Sequence, residues 1–146
     1  MPYETPQDAE DAFYDAFEEG DLDRMMAAWS PASDIVCIQP LRDPAVGPDA
    51  VRASWNEVFA TGNRVEIEIL HRHWIEQNDM AVHIVKERLT IDGNVARRPP
   101  PLVATNVYRR EEDGWRLILH HVSPPPPPPG MGPPMAGPGA IRPPRP

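Results

Sequence analysis

The chain has 146 residues, 21 of them proline, and a formal net charge of −8. Residues 1–123 hold every acidic residue but only 12 of the 14 basic ones, so this body carries a formal −10, which argues against nucleic acid and anionic membrane as partners. Cys37 is the single cysteine, so no intrachain disulfide forms, and the absence of a signal-like start or an 18-residue apolar run makes a cytoplasmic protein the expectation.

Taken in order, the chain opens with a helix signal. Thr5 caps, Pro6 suits the first helical position and Asp8 stands where a capping-box acid belongs. Ala9, Ala12, Phe13, Ala16 and Phe17 follow at helical spacing, and Gly20 ends the stripe. Asp21 caps a second, shorter stripe of Leu22, Met25, Met26 and Trp29. A short strand is expected over residues 35–39, stopped by Pro40, and residues 40–47 read as a loop. Pro48 opens a third helix with Val51, Trp55, Val58 and Phe59 on one side and Gly62 at its close.

The remainder reads as strands. Residues 64–76 alternate, with Val65, Ile67, Ile69, His71 and His73 expected on one face. Asn78-Asp79 turns into a second long strand over residues 80–91, and Asp92-Gly93-Asn94 turns again. Three prolines, Pro99 to Pro101, delay the next strand to about Leu102. Residues 104–123 form a hairpin around Asp113-Gly114. Pairing Arg110 with Trp115 puts Tyr108 opposite Leu117, Asn106 opposite Leu119 and Ala104 opposite His121, all on one face. The other face then carries Val103, Val107, Ile118, His120 and Val122, a β-branched surface suited to a second subunit.

Helices followed by a meander of long strands make an α+β domain over residues 1–123. Residues 124–146 hold 12 prolines, no acid and no aromatic, and read as a disordered, partly polyproline-II tail. Its end, RPPRP, matches the composition of ligands for proline-reading domains, and equally that of a low-complexity tail with no dedicated reader.

Four segments carry a family resemblance in matching order: AFYDAFEEGDLDRMMAAWS, DIVCIQP, VGPDAVRASWNEVF and ATNVYRREEDGWRLILHHVS. Together they resemble the SnoaL-like branch of the nuclear transport factor 2-like superfamily. The resemblance implies a cone: three N-terminal helices packed on a curved antiparallel sheet, with a pocket between the first helix and the concave face. It also implies a homodimer formed through the outer face. Family members include isomerases, cyclases and dehydratases, and also non-catalytic association modules.

The ketosteroid isomerases of that superfamily use a helix-1 Tyr, a late-strand protonated Asp and an Asp base. By the resemblance, Phe13, Asn106 and Gln39 occupy those positions here, so that chemistry is not expected. Asn106 and Gln39 can still bind a carbonyl, since each amide both donates and accepts. His121 and Asn106 are the candidate catalytic pair, and the association domains implied by the resemblance also have a His at the matching place. Phe13, Gln39, Tyr108, Tyr14 and His73 are the candidate ligand-binding residues. Tyr14 fits a pocket rim or a core edge. Trp29 and Trp55 fit the core.

His71 and His73 make a His-x-His pair, which His83 can join from the next strand, but a metal site needs a third ligand and no acid lies on that strand face. No metal and no cofactor is expected. Cys37 sits on an apolar strand without a nucleophile signature. The expected function is binding of a small apolar or polyketide-like molecule, with isomerase-, cyclase- or dehydratase-like turnover as one outcome. A non-catalytic dimerisation or ligand-sensing module is the alternative.

Overall fold

The computed structural model describes residues 3–127 and 129–130. The tail expectation therefore falls mostly, and its RPPRP end wholly, outside the described residues.

Three helices form where their caps dictate: α1 (Pro6–Glu19), α2 (Leu22–Ala28) and α3 (Pro48–Ala60). Thr5 Oγ1 accepts the Asp8 amide at 3.0 Å and Asp21 Oδ1 accepts that of Arg24 at 3.1 Å, so α1 and α2 each start with a side chain on an otherwise unpaired amide, whereas α3 starts at Gly47 and Pro48 without one. Gly20 at φ 65° turns its amide back onto the Ala16 and Phe17 carbonyls, a left-handed cap that costs glycine little.

The strands are β1 (Val36–Ile38), β2 (Ala45–Val46), β3 (Val65–Glu76), β4 (Met80–Ile91), β5 (Leu102–Glu111) and β6 (Gly114–Ser123), in sheet order β2-β1-β6-β5-β4-β3. The four long strands form the expected antiparallel meander. The sheet as a whole is mixed, however: β1 runs parallel to β6, pairing Cys37 with His120, and antiparallel to β2, a short strand within the expected loop. A parallel neighbour requires a long crossover, which local patterning does not reveal.

Two β-bulges reset the faces. In β5–β6 the register expected from the turn holds through Tyr108–Leu117 and then shifts, because Ile118 is an extra residue. Beyond it Asn106 pairs with His120 and Ala104 with Val122. His120 and Val122 therefore face inward and buried, and His121 is exposed, the reverse of the strict alternation. In β3 a second shift between His71 and His73 leaves Arg72 unpaired. His71 stays aligned with Val85, while Trp74 rather than His73 pairs with inward-facing His83. His73 is exposed. Such bulges also increase strand bend and twist, which suits a sheet that curls into a cone.

α1 covers the concave face. Ala9, Phe13 and Ala16 are fully buried there with Trp29, Trp55, Tyr108 and Leu117. Phe13 is the hub, its ring 4.7 Å from Tyr14, 5.5 Å from Trp55 and 4.9 Å from His120 between centroids. The contacts with Tyr14 and Trp55 are edge-to-face, and such pairs add roughly 0.5–1.5 kcal/mol each beyond area burial. Among the described residues, no helix is long and apolar enough to cross a membrane.

Candidate functional site

The inward face of the sheet carries polar groups that an all-apolar core would not need. On β4 the buried inner positions are Ala81, His83, Val85 and Glu87. On β5 they are Ala104, Asn106 and Tyr108, and on β6 His120 follows the bulge. Tyr14 of α1 descends onto this surface and links them.

The result is one hydrogen-bonded chain. The Tyr14 hydroxyl donates to Glu87 Oε2 at 2.6 Å, and Asn106 Nδ2 donates to the same hydroxyl at 2.8 Å. His120 Nδ1 lies 2.6 Å from Asn106 Oδ1, which can only accept, so Nδ1 carries the proton. All donors point one way, from His120 toward Glu87. The far nitrogen, His120 Nε2, is buried without a partner. Tyr108, another pocket candidate from the sequence, is wholly buried and its hydroxyl is also unpartnered.

Burial sets the protonation of this chain. It pushes the Glu87 carboxyl from 4.5 up to about 7, the Tyr14 hydrogen bond pulling partly back. It pushes His120 down to about 3, with the charge of His121 adding to the effect. Both phenols, Tyr14 and Tyr108, are raised well above their ordinary value, first by burial and then by nearby carboxylates. Glu87 is therefore the one member able to exchange a proton near neutral pH. The Cys37 thiol, pushed to about 12 by burial, is not a nucleophile at neutral pH.

A cavity of about 920 Å³ opens beside α3, not between α1 and the concave face as expected, because α1 packs its Ala9, Phe13 and Ala16 directly onto the sheet. It is walled by α3 residues including Ala53, Ser54 and Val58, by Val65, Leu89 and Ile91 of the long strands, by Phe17 of α1 and by Gln39 after β1. That is the size range of small-molecule sites, and the wall is mixed, with Arg42, Asp43 and Glu57 adding charged groups to the apolar ones. Gln39, predicted as a ligand contact, does line it, and its Nε2 donates to Cys37 Sγ at 3.4 Å. Glu87 lies two residues further in from Leu89 on the same face of β4. Between cavity and hydrogen-bonded chain stand Phe17 and Trp55, with ring centroids 4.9 Å apart, and Trp55 packs 5.7 Å from His120.

Of the sequence candidates, Asn106 and Tyr14 meet in the buried chain, Phe13 packs on His120, Tyr108 lies in the core, and Gln39 lines the cavity. His121 and His73 are brought to neither, each turned outward by a bulge. His120 and Glu87 were missed. Alternation alone would have found Glu87, since it shares a face with Ala81 and Val85. A separate cluster joins Glu10 of α1 to His71 and His83.

Comparison with known proteins points in one direction. A family model for SnoaL-like domains matches residues 7–127. A solved structure from Thiobacillus denitrificans ATCC 25259, named a "putative calcium/calmodulin-dependent protein kinase type II association domain", is 46% identical with a TM-score of 0.82, covering 86% of this chain and 98% of that one. A "putative dehydratase from the NTF2-like family" of Streptomyces avermitilis is 29% identical with a TM-score of 0.72, covering 80% and 91%. A ketosteroid isomerase-like protein of Erwinia carotovora atroseptica, 20% identical with a TM-score of 0.66 over 80% and 91%, shares the fold. No match is found among curated proteins.

Proposed function

Because this chain belongs to the SnoaL-like domain family, we propose that it is a small-molecule-binding domain whose ligand occupies the cavity beside α3. The cavity of about 920 Å³, where Gln39 stands among the apolar side chains of Phe17, Val58, Val65, Leu89 and Ile91 with charged Arg42, Asp43 and Glu57 also on the wall, is the observation that carries this reading. It fits a modest apolar or polyketide-like molecule bearing a carbonyl, to which the Gln39 amide donates. Glu87, about 7 Å beyond Leu89 along β4, supplies a near-neutral carboxyl for proton transfer to a ligand that reaches past Phe17. Isomerase- or dehydratase-like turnover is the activity that fits this reading, and the dehydratase name of the Streptomyces relative supports it. The ketosteroid isomerase mechanism does not carry over, since Phe13 cannot donate a hydrogen bond and Gln39 cannot act as a base at neutral pH.

A fluorescent apolar probe, anilinonaphthalene sulfonate, tests the cavity. Native protein should bind it with enhanced emission, and Ala53→Trp, which fills the cavity from α3, should lose that emission while keeping the native circular dichroism. Unchanged emission in the variant would mean that the cavity is not the site.

The second reading, a non-catalytic association module, is favoured by the name of the 46% identical relative. It uses the outer face of the sheet, where Val103, Val107 and Ile118 are half-buried in the single chain. Val122, expected there, instead faces the core at 3% exposure. The two readings are compatible, since the cavity and this face lie on opposite sides of the sheet.

A further inference from the structure

Glu10, His71 and His83 converge from three elements, α1, β3 and β4. His71 Nε2 lies 2.6 Å from Glu10 Oε1, and His83 Nδ1 lies 2.8 Å from Glu10 Oε2. The three ligating atoms all fall within 4.8 Å of one another. We propose that these residues form a binding site for a first-row divalent transition-metal ion, with Zn²⁺ as its natural test.

The donor chemistry supports this. Two imidazoles and one carboxylate suit zinc, cobalt or iron, whereas magnesium and calcium prefer all-oxygen sites. Metal–ligand bonds of about 2.0–2.1 Å place two ligand atoms roughly 3.3 Å apart around a tetrahedral ion. The Glu10–His separations are shorter because hydrogen bonds now join them directly, and each has to open by less than about 1 Å to admit an ion.

Charge supports it as well. Glu10 is nearly fully buried, and among the described residues its side chain bonds to no Arg or Lys, only to these two histidines. A carboxylate buried without an Arg or Lys partner is costly. Asp11 adds further negative charge beside it. A divalent cation compensates this charge.

The site is also held in shape. His83 has no exposed surface, stacks on Trp74 at 4.6 Å and 14°, and leans on Tyr108 at 5.0 Å. Its only polar bond is the one to Glu10, since its Nε2 is unpartnered. The β3 bulge places Trp74 over it. His71, with a side chain 38% exposed, leaves one side open for a water or an external ligand in the remaining position.

The test uses untagged full-length protein, freed of metal by a chelator, and Co²⁺ as a spectroscopic probe. One equivalent should give the strong visible d–d bands of a low-coordinate ion, Zn²⁺ should displace them, and Mg²⁺ should not. His71→Ala changes an exposed side chain and should fold normally, yet lose at least tenfold in affinity. Glu10→Gln should do the same, and His73→Ala should bind as the native chain does. Absence of the bands, or equal binding in the His71→Ala and Glu10→Gln variants, would overturn the site and leave a carboxylate bridging two histidines for structural reasons alone.

Discussion

The Tyr14 hydroxyl and the Glu87 carboxylate are 2.6 Å apart, both buried, and joined by a hydrogen bond that spans from the first helix to the fourth strand. This contact ties the lid of the cone to its floor. It also gives the interior a carboxyl that titrates near neutrality.

Glu87 should make stability depend on pH in a definite sense. Its folded-state value of about 7 is raised above the ordinary 4.5, so the folded protein binds this proton more tightly than the unfolded chain does. The stabilising contribution is complete below about pH 4.5 and is lost as pH rises through about 7. Across that window the native chain should lose on the order of 3 kcal/mol relative to Glu87→Gln. Urea unfolding of both proteins over the window measures it, and parallel curves would exclude the effect.

Tyr14→Phe should raise the Glu87 value further, because the Tyr14 hydrogen bond is what lowers it. Infrared titration of the carboxyl carbonyl stretch reads this directly. The same variant leaves Asn106 Nδ2 short of an acceptor, with a stability cost of about 1–3 kcal/mol. A variant in which Glu87 titrates as in the native chain would contradict the contact.

The bulge at Ile118 separates two neighbouring histidines by environment. His120→Ala removes a fully buried ring packed on Phe13 and Trp55, and should cost about 2–5 kcal/mol. His121→Ala should stay within about 0.5 kcal/mol. His120, depressed to about 3, also contributes stability that is present above its ordinary 6.5 and is lost as pH falls toward about 3. Chemical unfolding of the two alanine variants decides between this register and strict alternation, which predicts the opposite ranking.

Association through the outer face should be sensitive to a charge placed at its centre. Val107→Arg on β5 should convert a dimer at micromolar concentration into a monomer, with the melting temperature of the isolated fold little changed. Sedimentation velocity reports both states. A native chain that sediments as a monomer would contradict the association reading.

Much of this architecture is written locally. Thr5, Gly20, Asp21 and Pro48 mark helix ends, because capping is decided by a few adjacent groups. Asp113-Gly114 marks the hairpin and fixes its register as far as Tyr108–Leu117. The register fails at Ile118, since nothing in the run from Trp115 to Ser123 distinguishes a bulged β-branched residue from a paired one. The same limit hides the β3 bulge and so misplaces His73. The site suffers more than the fold because its members come from separate elements. Glu10 reads as one more acid on an acidic helix until α1 is laid across β3 and β4. Glu87, between Lys86 and Arg88, reads as part of a charged run, although its alternation with Val85 already turns it inward.

Amide-resolved NMR titration with anilinonaphthalene sulfonate tests the cavity as the ligand site most directly. Shifts concentrated on Phe17, Gln39, Ser54, Val58, Leu89 and Ile91, and absent in Ala53→Trp, are the result expected. Shifts confined to the outer sheet face, around Val103 and Val107, with the cavity residues unmoved, would contradict it.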